Sequence, residues 1–131
     1  MIISLDETIT ILNGWKEEST PLLVLGQNPF SRGLQAVHEQ GSAIDWNLAL
    51  RAKVSHVSVS EGRNPSKRGI VLFEAERGNL SLAMESGAFS YDQNCGIPEF
   101  VGEESGLRAQ ACLFIFLASN ETFVIYALGV A

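Results

Sequence analysis

Two apolar runs dominate the last quarter of the chain. Ala109 to Ala118 and Thr122 to Leu128 are rich in β-branched and aromatic residues, and Ser119-Asn120-Glu121 breaks them apart. Such runs around a short polar break predict a β-hairpin. Leu113 to Leu117 is apolar at every position rather than alternating, so both faces of that strand are expected to be covered. A small sheet can cover one face with its own core. The other then calls for a helix or a second subunit. On this pattern the hairpin is the centre of the domain, and Phe114, Phe116, Phe123 and Ile125 are the candidate interface residues, with Ile125 expected to face outward.

The N-terminal pattern is helical. Ser4-Leu5-Asp6-Glu7 has the form of a capping box, and Leu5, Ile9, Leu12 and Trp15 follow at spacings of four, three and three. Asp6 and Glu7 sit where the helix dipole favours negative charge. The residue before a proline avoids the α region, so the helix, about residues 4–18, should end before Pro21. Glu17 and Glu18 near its end suggest fraying there.

The middle of the chain reads as short strands. Leu22 to Leu25 is a brief apolar strand ended by Gly26, and residues 30–40 fit helix and strand equally. Ile44, Trp46, Leu48, Leu50, Ala52 and Val54 alternate with more polar neighbours, which predicts a half-buried strand. At Val57 and Val59 the apolar set changes parity, which places a bulge near Ser55-His56. Further strands are expected at 70–76, 79–85 and 88–91, with a tight turn at Arg77-Gly78. Pro98 to Glu104 can form one helical turn with Pro98 at its first position. The sum is an α+β fold: an N-terminal helix packed on a strongly curved, mostly antiparallel sheet or small β-barrel of about six to seven strands. It forms one globular domain over residues 1–131, β-rich from 22 to 129.

Composition narrows the partners. The chain is 46% hydrophobic and 18% charged, which marks a globular rather than a disordered sequence. Its net charge of −6 repels phosphate backbones and anionic lipid, so neither nucleic acid nor membrane is an expected partner. The charge is uneven. Residues 1–50 carry two basic and six acidic groups, residues 51–77 six and three, and residues 78–131 one and six. The middle segment alone could attract an anion. No apolar run reaches the roughly 18 residues of a membrane span. Met1-Ile2-Ile3 meets Asp6 and Glu7 too soon for a secretory signal. Two cysteines make no disulfide framework, so a cytoplasmic protein with reduced thiols is expected.

Candidate chemistry is sparse. His38 and His56 have no ligand at metal-binding spacing, and no metal or cofactor is expected. Cys95 lies among acids that would raise rather than lower its pKa, which disfavours a nucleophile, and Cys112 reads as core. Asp92, Glu99, Glu103 and Glu104 lack the fixed offsets of a calcium loop. Trp15 and Trp46 read as core anchors. Arg63, Lys67 and Arg68 with nearby glycines form a basic loop that, with His56 at the bulge, makes a candidate anion site. It contains no phosphate-loop or dinucleotide motif. Asn79-Leu80-Ser81 matches the first half of the turn that PilZ domains use for a cyclic dinucleotide, but Met84 stands where that turn has glycine.

The leading expectation is therefore a non-enzymatic structural or interaction domain that self-associates as a dimer or larger. The alternative is a small-molecule or anion-binding barrel using the basic loop 63–68. A thiol-dependent hydrolase built on Cys95, His56 and an acid is the remote third reading.

Overall fold

A computed structural model describes residues 1–27, 48–61, 67–75, 78–84, 87–93, 107–117 and 121–130. Residues 30–40 and the turn expected at Pro98–Glu104 lie outside that set. The elements in chain order are β1 (Ile2–Ile3), α1 (Leu5–Glu17), β2 (Leu22–Gln27), β3 (Leu48–Glu61), β4 (Lys67–Ala75), β5 (Leu80–Ala83), β6 (Ala88–Gln93), β7 (Leu107–Phe116) and β8 (Thr122–Val130). All eight strands join one antiparallel sheet in the order β1-β6-β7-β8-β2-β3-β4-β5. Among the described residues β1 and β5 are its two edges, so the sheet is curved but not closed.

The helix forms where the capping box sets it. Glu7 N–H donates to Ser4 Oγ at 3.1 Å, and Ser4 N–H donates back to the Glu7 carboxylate at 3.3 Å. The far end does not fray. Lys16 supplies a cation in the last turn, Thr20 N–H donates to Trp15 O at 3.0 Å and Ser19 N–H to Lys16 O at 3.2 Å. These two bonds, with Ser19 at φ 50°, close the helix as a Schellman motif without the usual glycine. Charge counting missed this because the closure is made by backbone groups.

The helix lies chiefly on β3, yet it also touches β4 and β6, which belong to opposite halves of the sheet. A flat sheet could not bring both to one helix, so the sheet curls around it. The inner core packs Ile9, Leu12 and Trp15 against Val24, Val54, Val71, Phe73, Leu113, Ile115, Phe123 and Ile125. Burying each such aliphatic or aromatic side chain contributes on the order of 1.5–3 kcal/mol.

A second core lies on the opposite face. Leu23, Leu25, Cys112, Val124, Tyr126 and Leu128 are buried there, with Ala109 and Phe114 packed at its margin. Burial on both faces was expected for Leu113–Leu117, and it is found one strand further in. Every residue from Leu22 to Gly26 and from Phe123 to Leu128 is buried, whereas on β7 the outer face grades from buried Cys112 through half-buried Phe114 to exposed Phe116. The β2–β8 pair occupies the middle of the sheet, which explains the shift. This coverage exists within one chain, so it does not call for a second subunit.

Two irregularities shape the sheet. The register between β3 and β4 slips between Val54 and His56, where the change of parity places it, and Ser55 Oγ donates to Leu72 O at 3.0 Å. A second slip in β7, between Ala109 and Ala111, leaves the exposed Gln110 side chain crossing Gly129 of β8, so that a methyl group there would have to displace the end of that side chain. At the β4–β5 turn Gly78 takes φ 121°, a backbone that L side chains resist.

Candidate functional site

The chemistry of β3 follows from its bulge. A regular strand carrying Arg51 and Lys53 outward would turn position 55 outward next and His56 inward. The extra residue at Ser55 resets the alternation, so Val54 and Val57 both face the inner core while Arg51, Lys53 and His56 share the outer face. All three side chains are exposed. Two of the six basic residues of the middle segment, Arg51 and Lys53, thereby lie on the outer face of one strand.

Beside this strand the sheet opens. Leu22 pairs with Ala52 on one side and with Ala127 on the other, and β2 begins there. Pro21, the residue before it, faces β8, and the next position toward β3 is Thr20, whose N–H is already donated to Trp15 O at 3.0 Å. The Pro21 carbonyl accepts from Leu128 N–H at 2.9 Å. Beyond Pro21, β3 and β8 lose their common neighbour and leave a cleft of about 440 Å³. Among the described residues Arg51, Lys53 and Glu74 supply its charged groups, and Pro21 and Leu128 part of its apolar wall. Lys53 and Glu74 are cross-strand partners. Arg51 makes a further interaction of its own. Deeper in the outer core, burial pushes the Tyr126 phenol above its ordinary pKa.

The residues proposed from sequence for an anion site do not all meet here. Arg63 lies outside the described residues. Lys67 and Arg68 open β4 opposite Glu61 and Ser60. Arg68 is six positions along the strand from Glu74, or roughly 20 Å at the rise of a β-strand. His56 stands between, opposite Leu72. Sequence reasoning named Arg51 and Lys53 as the polar phase of an alternating strand and counted them among the basic groups of the middle segment, but left them out of the anion site. That polar phase, continued through the bulge, was the available signal.

The proposed interface residues divide by parity. Phe123 and Ile125 face inward and pack in the core under the helix. Phe114 and Phe116 face outward, half-buried and 47% exposed respectively. They continue toward the sheet edge: Ser90 lies between Phe114 and Ile2, and Ala88 is opposite Phe116. Ile2 is 86% exposed.

Cys112 is not a reduced core thiol but is disulfide-bonded. The other cysteine, Cys95, is outside the described residues, as are His38 and Trp46. Asn79-Leu80-Ser81 enters the edge strand β5, and Met84 is buried with its N–H donating to Gly69 O at 2.7 Å. Among the described residues no group of three or more His, Cys, Asp or Glu side chains could hold a metal ion, and no helix is long and apolar enough to cross a membrane.

No family model, curated protein or solved structure matches this chain. The functional reading therefore rests on geometry.

Proposed function

We propose that the protein is a non-enzymatic interaction domain that self-associates through the outer face of β7, with Phe116 at the centre of the contact and Phe114 beside it. The observation that carries this reading is the exposure of Phe116, in line with Ala88 and next to the row that ends in Ile2. A two-fold contact would set this uncharged stripe against its own copy, which requires no second complementary surface.

The magnitude favours a weak dimer. A phenylalanine exposed to 47% presents about 95 Å². Covering it would contribute about 2 kcal/mol per subunit. That is small beside the several kcal/mol that association costs in lost freedom, so Ile2, Ala88 and Phe114 must add area for a micromolar dimer to form.

Light scattering across about 5–200 μM tests the reading, with Phe116→Lys as the variant. The expected result is a concentration-dependent dimer that the variant reduces to a monomer with unchanged circular dichroism. A wild-type monomer at the highest concentration, or a variant that still dimerises, overturns it. Ile125→Lys is unsuitable for this test, because it would bury a charge beneath the helix and unfold the chain.

A further inference from the structure

The two edges of the sheet differ. β1 is two residues long, whereas β5 runs over Leu80–Ala83 with no charge, proline or bulge, three of the devices that blunt an exposed edge. Its outward groups follow from one bond. Met84 N–H donates to Gly69 O at 2.7 Å, one step beyond the pair Ile70 and Ala83. Hydrogen-bonded pairs alternate along an antiparallel ladder, so Leu82 and Leu80 also bond to β4 while Ser81 and Ala83 do not. The N–H and C=O groups of Ser81 and Ala83 therefore point away from β4, where no further strand stands among the described residues.

The side chains select what fits. On the outer face, rows starting at this edge run Ala83–Ile70–Ser58 and Ser81–Leu72–His56. Each begins with a small exposed residue and continues with a large apolar one, Ile70 at 44% exposure and half-buried Leu72. The edge is a low step before an apolar wall. A strand added beside β5 would bond to the four outward main-chain groups and lay bulky side chains across Ser81 and Ala83 toward that wall. A second copy of β5 fits poorly. In a two-fold pairing Ser81 would face the partner's Ala83, small against small, and the wall would stay uncovered. We propose that β5 is a docking edge for an extended segment of another protein, added antiparallel with bulky apolar residues on the outer face.

The probe is a blocked seven-residue peptide alternating isoleucine and threonine, with a lysine at each end. In the free protein the Ser81 and Ala83 amides should exchange quickly with solvent and those of Leu80 and Leu82 slowly. Peptide at about 1 mM should slow Ser81 and Ala83 by about tenfold or more. In antiparallel pairing the residues that bond to β5 share the outer face with Ser81 and Ala83. N-methylation at the isoleucines should therefore abolish binding, and at the threonines should leave it intact. Ala83→Pro removes an N–H that β4 does not use and should weaken binding about tenfold. Ile70→Ser leaves the edge backbone unchanged and should weaken it about threefold. Phe116→Lys should have no effect, which separates this edge from the β7 stripe. No slowing at Ser81 and Ala83, binding that survives isoleucine methylation, or binding unmoved by Ile70→Ser overturns the proposal. Slowing of those amides in the protein alone as its concentration rises would make a second copy the occupant, and overturns it too.

Discussion

Gly69 offers a sharp test of how the helix is seated. It lies in β4 opposite Val59, and a methyl group added there would stand 3.2 Å from Ile9 Cδ1, 3.5 Å from Met84 Cε and 3.6 Å from Leu5 Cδ1. Its backbone is outside the left-handed region, so space alone decides what a side chain costs. Two effects compete in Gly69→Ala. Restricting the unfolded chain stabilises by about 0.4–1 kcal/mol. Crowding against Ile9, whose flexible end must give by a few tenths of an ångström, costs about 1 kcal/mol. The expected sum is near zero or slightly destabilising.

Removing the Ile9 δ-methyl changes that balance. Ile9→Val alone should cost about 0.5–1.5 kcal/mol. In its background the nearest neighbours of the new methyl are Met84 and Leu5 at ordinary contact distance, so Gly69→Ala should stabilise by about 0.5–1 kcal/mol. Urea denaturation of the four proteins, followed by far-ultraviolet circular dichroism, measures the coupling, expected at about 1 kcal/mol. If Gly69→Ala has the same effect in both backgrounds, within about 0.4 kcal/mol, the helix does not rest on this glycine as described.

Two further outcomes follow from local geometry. Ser19→Gly should raise stability by about 1 kcal/mol, or roughly 3–5 °C in Tm, because glycine takes the left-handed C′ position without the penalty of a β-carbon. An unchanged or lower Tm by calorimetry would contradict the helix closure. The chain should show no reactive thiol when denatured without reductant, and reduction should then cost about 2–4 kcal/mol of stability. Two titratable thiols in unreduced protein would show that Cys112 is free.

The sequence was most informative where a signal is local. The Ser4–Glu7 box depends on residues three apart, and the parity change at Val57 locates the Ser55 bulge because one extra residue must invert the alternation. The hairpin β7–β8 was legible for the same reason. Phe123 and Ile125 were not legible as inward residues, since both parities of β8 are apolar and only pairing with β2 and β7 fixes which faces the helix. The two-residue β1 is too short to carry a pattern; it exists because Ile2 and Ile3 lie against Ser90 and Phe89. Arg51 and Lys53 could be assigned to a polar face, but the cleft beside them depends on where β2 begins, about 30 positions earlier, and could not be foreseen from β3 itself.

The strand order places an unusual demand on folding. Its two halves, β1-β6-β7-β8 and β2-β3-β4-β5, meet along a single seam between β2 and β8, whose partners are separated by about 95 to 105 positions in the chain. Closing so long a loop is slow, because its entropic cost comes before the contacts that repay it. Until β8 arrives, β2 presents an unpaired edge and an all-apolar segment, the combination that invites pairing with another chain. The same seam that gives the native sheet its driest region thus makes the incomplete chain most vulnerable to aggregation. Productive folding becomes a race between docking of β8 and encounter with a neighbour.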